Sequence, residues 1–372
     1  MNDDNRNHID SNENGPDIST IATHAYKKTF TPKDSNFFMF MIIIFGGLVL
    51  QIILGLIIGT MQALDPNFEF DPPVWAAILL SQLLIMALPC LIYLIIHRRS
   101  IKEILPMRSI GWLNIVMIAG MSLTIQPLFM LVNLISQFVF PNVIAESILG
   151  IGQEGGLALT LLIVAVVPSV FEEVAFRGIG FVGFKKVKIW KAAVINGMVF
   201  GAIHMNMNQF LYAFLLGAVF CYFMYYTKSL WAPILGHFVV NGTQSLLSFA
   251  IMGLDLEAME NAVEMDITLT GGQEMLITII VFSFIALVAT GIFIAIYIPF
   301  KRHNIKRNEA CGVITDTAAA ALAAGEKPPR AFTWAFWASA AIFALLMAAN
   351  YLLPLIDFDV AAAACAYAEA AL

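Results

Sequence analysis

Two adjacent carboxylates, Glu172 and Glu173, lie within a long apolar run, and Arg177 follows the second of them by four residues. A charge in the hydrocarbon layer costs about 2.5–3.5 kcal/mol even on insertion scales, so an ionisable residue there indicates a functional site. Residues four apart share one face of a helix, whereas sequence neighbours point about 100° apart. We therefore predict that Glu173 and Arg177 form a supporting ion pair, and that Glu172 faces elsewhere and is free for chemistry.

Two later apolar runs carry polar side chains that could work with Glu172. His204 follows Phe200 by four residues and Asn241 follows His237 by four, so each pair can share a helix face, with Phe200 as a packing wall. Counted from the predicted cytoplasmic ends of their helices, the four polar side chains lie about 10–21 Å deep. This common level indicates one site. A carboxylate at such a site can act as a base, and histidine and amide side chains can donate hydrogen bonds to developing negative charge.

Each motif taken alone has a structural alternative. A membrane histidine commonly hydrogen-bonds a neighbouring helix, and a Glu–Arg pair can hold helices together. The three motifs in this order, at matched depth, favour a functional site. Glu172, His204 and His237 could also bind Zn²⁺ as a two-histidine, one-carboxylate site with water in the fourth position, and the sequence leaves this cofactor open. The HExxH, GxGD and GxSG motifs of other protease classes do not occur.

The composition of the chain predicts the kind of scaffold that holds these motifs. Of the 372 residues, 60% are hydrophobic and 12% are charged, where a soluble domain has about 25% charged residues. The mean hydropathy is +0.82. The apolar runs are about twenty residues long and do not alternate, which is typical of membrane helices and not of barrel strands. We predict an all-α, polytopic transmembrane helix bundle.

Hydropathy divides this bundle into eight or nine spans, and the last of them is the weakest. The fourth span is unusually long and contains Pro168, which should kink or interrupt it. The fifth and sixth spans are short and nearly abut. The approximate limits are 37–59, 74–97, 112–139, 156–184, 190–208, 209–226, 230–252, 275–300 and 333–355.

The distribution of positive charge predicts the orientation of the bundle. Every Lys and Arg outside a span falls on alternate loops, together with the N-terminal tail. The positive-inside rule then places the N-terminus in the cytoplasm and the C-terminus outside. We expect an integral, multi-pass protein of the cell membrane whose active-site cavity faces the cytoplasm.

The chain divides into four regions by composition. Residues 1–36 are polar without apolar periodicity and are predicted to form a disordered cytoplasmic tail. Residues 37–300 form the transmembrane bundle, residues 301–332 a basic, Ala-rich cytoplasmic linker, and residues 333–372 an additional C-terminal membrane helix with a short tail.

The three motifs together resemble those of the CPBP intramembrane protease family, the CAAX prenyl endopeptidases and their bacterial relatives, also called the Abi family. EExxxR is matched by residues 172–177, FxxxH by residues 200–204 and HxxxN by residues 237–241. The sequence SLWAPILGH, residues 229–237, is also similar to the family. The resemblance covers a CPBP-type catalytic core at about 155–250.

The resemblance implies an α-helical membrane endopeptidase whose cavity opens to the cytoplasm. Carried over by motif, Glu172 is the general base and His204 helps to hold the water. His237 and Asn241 donate to the oxyanion of the tetrahedral intermediate. The family is often described as metallopeptidases, although a metal-free glutamate mechanism is also proposed for it, so the resemblance does not settle the question of Zn²⁺.

The function implied by this resemblance is hydrolysis of a peptide bond near the C-terminus of a membrane-associated protein or peptide, with a prenylated CAAX-type substrate as one option. The expected partners are the lipid bilayer and such a substrate, and no nucleic acid. The alternative is a non-catalytic membrane scaffold or immunity protein on the same fold. A transporter would carry an internal repeat with paired broken helices, and the sequence shows no convincing repeat.

Overall fold

The computed structural model describes residues 30–69, 72–140, 144–252 and 271–352. The elements in these ranges are helices without a strand, and the predicted all-α bundle is confirmed. Helices satisfy every backbone group internally, which is what a bilayer demands. The main helices, numbered in chain order, are α1 (Pro32–Leu64), α2 (Val74–Ile96), α3 (Trp112–Ser136), α4 (Gly150–Val182), α5 (Ile189–Ala202), α6 (Met207–Thr227), α7 (Trp231–Met252), α8 (Gly271–Ala310), α9 (Thr317–Ala323) and α10 (Trp334–Leu352).

Six of these helices are long and apolar enough to cross a membrane, and two shorter apolar helices accompany them, at Ile189–Ala202 and Trp334–Ala349. Helix α7 spans 22 residues but is not among the six. Its run includes His237 and Asn241, which lower its hydropathy. One helix outside the six therefore carries two of the candidate site residues.

Helices α5 and α6 form a tight antiparallel pair because glycines lie at their contact. A Cβ at Gly197 would lie 2.6 Å from the carbonyl oxygen of Phe214, and one at Gly201 would lie 2.7 Å from that of Phe210. Small residues let membrane helices approach closely enough for backbone contact. This close approach fixes the turn between the two helices.

Two of the spanning helices contain π-helical turns close to the candidate site. Helix α4 has two, at Leu161–Val166 and Val174–Ile179, and the first ends directly before the α-helical segment that begins around Pro168. The expected interruption of the fourth span thus takes the form of a π-helical turn. Helix α2 has a third such turn, Gln82–Ala87. Turns of this kind occur frequently at functional sites because they redirect side chains.

The C-terminal helix packs against the first one. The Asn36 side-chain amide donates to the carbonyl oxygen of Ala331 at 2.8 Å and to Thr333 Oγ1 at 3.0 Å. Helix α8 continues to Ala310, ten residues beyond the predicted end of the eighth span, and α9 lies within the predicted linker 301–332.

The predicted N-terminal tail is only partly described. Helix α1 begins at Pro32, so the end of the segment 1–36 is helical, and Thr31 caps it with Asp34 in a capping box. Residues 1–29 lie outside the described residues, as do residues 353–372 of the predicted C-terminal region.

Candidate active site

Four polar side chains of the three motifs line one cavity of about 410 Å³. Glu172 reaches it from α4, His204 from the turn between α5 and α6, and His237 and Asn241 from α7. Phe200 also lines the cavity. Three segments that are distant in sequence therefore place their candidate residues around one space.

Glu172 is buried, with 6% of its surface exposed, and its two carboxylate oxygens have different surroundings. Oε1 accepts a hydrogen bond of 2.7 Å from Gln82 Nε2. Oε2 lies 4.0 Å from His237 Nε2. Gln82 was not among the predicted site residues, although a polar amide within the apolar run of α2 is the signal that could have identified it. The carboxylate is held from one side and faces the cavity and His237 with the other.

Glu173 and Arg177 form the ion pair that the helical spacing predicts. Arg177 Nη1 donates to Glu173 Oε1 at 2.9 Å, and both side chains are fully buried. Arg177 Nη2 donates to the carbonyl oxygen of Gly217 at 2.9 Å, which ties α4 to α6. The same Glu173 oxygen also lies 2.8 Å from His237 Nδ1, a contact that sequence spacing alone did not indicate. Glu173 therefore joins the ion pair to the histidine of α7.

Phe200 contacts three of these groups through its ring. The guanidinium carbon of Arg177 lies 4.4 Å from the ring centroid, within the range of a cation–π contact. The rings of His204 and His237 stand edge-on to it, with centroids 5.3 and 5.9 Å away. The residue predicted as a packing wall thus contacts both histidine rings and also covers the buried Arg177 guanidinium.

His204 lies in a tight turn and not within a helix, contrary to its place inside the predicted span 190–208. Its Nδ1 is 2.8 Å from the carbonyl oxygen of Phe200. Because a carbonyl only accepts, Nδ1 carries the proton and Nε2 remains an acceptor. The turn is closed by Met205 with a positive φ of 49°, and by the Asn206 side chain, which caps α6. Helix α5 ends at Ala202, six residues before the predicted end of the fifth span at 208.

His237 and Asn241 are hydrogen-bonded to each other one helical turn apart. Asn241 Nδ2 lies 3.2 Å from His237 Nε2 and donates to the carbonyl oxygen of Val164 at 2.9 Å. The bond to Val164 fixes which end of the amide is nitrogen. With a proton on Nδ1 directed at Glu173, the Nε2 lone pair of His237 accepts from Asn241.

The predicted zinc ligands do not fit a metal ion as they are placed. Among the described residues, no group of three or more His, Cys, Asp and Glu side chains is arranged to hold one. The Nε2 lone pair of His237 meets an amide donor, and an amide hydrogen repels a cation. Glu172 Oε1 is likewise engaged by Gln82. We therefore assign no chemical step to zinc.

Comparisons with known proteins agree with the three motifs. A family model described as "Type II CAAX prenyl endopeptidase Rce1-like" matches residues 154–243, a segment that contains all three motifs. The Bacillus subtilis (strain 168) protein named "Putative membrane peptidase YdiL" is 27% identical over 111 residues, which are 30% of this chain and 43% of the relative. The chain thus spans less than half the length of that relative. No solved structure matches the chain. The resemblance stated from the motifs is confirmed.

Proposed function

Residues 154–243 form a CPBP-type core in an integral, multi-pass membrane protein, and on that premise we propose that the chain is an intramembrane endopeptidase. It hydrolyses a peptide bond near the C-terminus of a membrane-associated protein or peptide through a water activated by Glu172. The observation that carries the proposal is the convergence of Glu172, His204, His237 and Asn241 on one cavity of about 410 Å³. A purely structural polar cluster has no need of such an opening.

In this mechanism Glu172 is the base and His204 positions the water. The carboxylate takes one proton from water, and the resulting hydroxide attacks the scissile carbonyl carbon. Glu172 then returns that proton to the leaving nitrogen and the C–N bond breaks, which releases a carboxylic acid and an amine. His204 keeps Nε2 as an acceptor because Nδ1 is bonded to the Phe200 carbonyl. Gln82 holds the other carboxylate oxygen, so Glu172 presents one oxygen to the water. Proton transfer by a positioned side chain typically contributes 10²–10⁴-fold in rate.

Asn241 and His237 stabilise the oxyanion of the tetrahedral intermediate. The Asn241 amide already points one N–H at His237 Nε2, and a substrate oxygen can replace that acceptor. His237 presents Nε2 to the same point, 3.2 Å from Asn241 Nδ2, and donates from it in its protonated form. Donors that are held in place before the reaction stabilise the developing charge most strongly in a site that excludes water.

Glu173, Arg177 and Phe200 position the reacting groups. The Arg177 guanidinium neutralises Glu173 and covers one face of the Phe200 ring. This arrangement fixes the Nδ1 side of His237 and, with it, the direction of Nε2. A misplacement of about 1 Å in a catalytic group can cost about 10²-fold in rate.

The location of the cavity among membrane-spanning helices and the residues that line it indicate the class of substrate. Besides the polar residues, the cavity is lined by apolar side chains such as Ile85, Phe129, Ile163 and Leu216. This mixture suits a substrate delivered from the bilayer, with a prenylated CAAX-type peptide as one candidate. The alternation of basic loops supports a cytoplasmic N-terminus and a cavity that faces the cytoplasm of the cell membrane.

The experiment that tests the proposal compares protein C-termini in cells that make different variants of the chain. Wild type and Glu172→Gln are expressed at equal level, with Glu154→Gln as a matched control, because Glu154 is an exposed glutamate on the same helix. We expect new C-termini with wild type and Glu154→Gln, and none with Glu172→Gln. Identical sets of C-termini in all three strains would favour the alternative, a scaffold or immunity protein without catalysis.

A further inference from the structure

A second cavity, of about 320 Å³, is lined by basic side chains and is separate from the candidate active site. Lys102 and Arg108 come from the loop before α3, Lys185 from the loop before α5, and Lys228 from the turn after α6. These are loops that the charge pattern places on the cytoplasmic side. Four cations from three loops therefore converge at one end of the bundle.

The acidic groups near this cavity are too few to neutralise it. Lys185 Nζ forms an ion pair of 2.7 Å with Glu103, the one carboxylate among the described lining residues. Asp316, which is not among the lining residues, interacts electrostatically with Lys228. Its side chain also caps α9 by accepting a hydrogen bond of 2.9 Å from the backbone nitrogen of Ala319. Even with Asp316 included, the four cations from the loops face only two carboxylates.

Lys228 is the cation with the least favourable surroundings. Its Nζ donates to the carbonyl oxygen of Thr315 at 2.8 Å and lies 4.4 Å from the centroid of the Tyr225 ring. The pKa of Lys228 is lowered to about 8, chiefly by burial, with Asp316 acting to raise it and Lys185 to lower it. The fold thus holds a poorly hydrated ammonium group close to a second one. A bound anion would relieve both the lost hydration and the repulsion.

We infer that this cavity binds a phosphate-bearing anion. Basic pockets between membrane helices on the cytoplasmic side are suited to lipid head groups, and lysine is a common point-charge ligand of phosphate. The phosphodiester of an anionic lipid and free phosphate share this chemistry. The inference does not depend on the proposed protease activity, because it involves none of the groups assigned to bond cleavage.

Arg177 gives the cavity a physical link to the active site. This fully buried residue lines the basic cavity, while its Nη1 binds Glu173 on the other side. Its Nε has no hydrogen-bond partner among the described residues. An anion in the cavity is therefore separated from His237 by Arg177 and Glu173 alone, a chain of two side chains.

The test uses the full-length chain purified in a non-ionic detergent. Native mass spectrometry measures the binding of phosphatidylglycerol, with phosphatidylcholine as the neutral comparison, and inorganic phosphate is added in a second arm as competitor. The double variant Lys185→Gln/Lys228→Gln removes two of the cations. A second double variant, Lys102→Gln/Arg108→Gln, removes the other two cations, which are exposed. It tests the inference even if the first double variant does not fold. Lys191→Gln is the matched control, because Lys191 lies against Trp190 outside the cavity.

We expect wild type to prefer phosphatidylglycerol, and either double variant to weaken its binding by about tenfold or more. Lys191→Gln should bind as wild type does. Displacement of the lipid by inorganic phosphate supports free phosphate as the ligand, and resistance to displacement supports the lipid head group. Equal binding by wild type and both double variants, or an equal loss in Lys191→Gln, would overturn the inference.

Discussion

His237 Nδ1 lies 2.8 Å from Glu173 Oε1, the oxygen that also accepts from Arg177. This contact joins α7 to α4 and leaves only Nε2 of His237 to face the cavity. The second glutamate of the EExxxR motif therefore does more than neutralise an arginine. It sets the direction and the tautomer of a histidine that belongs to another motif.

The buried ion pair predicts a strongly coupled effect on stability. We expect Arg177→Met to lower the free energy of unfolding by about 3–5 kcal/mol, because it leaves the Glu173 carboxylate buried without its cation. The double variant Arg177→Met/Glu173→Gln should recover part of this loss. The measurement is thermal and denaturant unfolding of the single and double variants in detergent. Losses that simply add in the double variant would show that the pair is not coupled.

Gln82 is predicted to position Glu172. Gln82→Leu removes the 2.7 Å hydrogen bond to Oε1 and should lower kcat by about tenfold with little change in KM, because the bond is directed at the base and not at the substrate. Unfolding should stay close to that of wild type. A control is Ser81→Ala, at the neighbouring position, whose hydroxyl bonds to the backbone of its own helix. Equal losses in both variants would mean that Gln82 acts only through packing.

Loss of the amide donor at Asn241 should act on the transition state. We expect Asn241→Leu to lower kcat by about 10²–10³-fold, the usual cost of removing one oxyanion donor. Gln244→Leu is a matched control because Gln244 lines the same cavity from the same helix. Steady-state kinetics of both variants show whether the amide stabilises the oxyanion or binds the substrate. If Asn241→Leu raises KM and leaves kcat unchanged, the amide binds the substrate and not the oxyanion.

Anion binding at the basic cavity should depend on pH through Lys228. The pKa of Lys228 in the free protein is about 8, so the side chain is charged below that pH and must take up a proton to bind an anion above it. Affinity for phosphatidylglycerol should therefore begin to fall as the pH rises through about 8, by at most about tenfold per unit. The groups that face Lys228 are Lys185, Asp316 and Tyr225.

The matched variant for this pH dependence is Lys228→Arg, since arginine stays charged across the whole range. Its affinity should remain level where that of wild type falls. The measurement is the same lipid titration repeated at several pH values. A decline of equal size in both proteins would assign the pH dependence to a group other than Lys228.

Much of the fold and part of the site could be predicted from local sequence rules. Composition alone indicates a helix bundle, because lipid offers no partner for open backbone groups. The pairing of Glu173 with Arg177 follows from the four-residue spacing on one helix. Neither rule needs a contact between distant segments of the chain.

The remaining features depend on contacts between distant segments. Gln82 is 90 residues from Glu172, and the bond between Glu173 and His237 spans 64 residues, so no local pattern signals either. His204 lies in the turn between α5 and α6, and the close contact of these helices at Gly197 and Gly201 depends on residues of both. The basic cavity likewise depends on how three loops meet at one end of the bundle.

The most direct measurement of the central claim is the turnover of one identified substrate by purified, membrane-reconstituted protein. Wild type, Glu172→Gln and Glu154→Gln are compared at equal concentration, with unfolding measured on the same samples. The account predicts that Glu172→Gln loses about 10²–10⁴-fold in kcat/KM at unchanged stability, while Glu154→Gln keeps the wild-type rate. Cleavage by Glu172→Gln within a few-fold of wild type would contradict the assignment of Glu172 as the catalytic base.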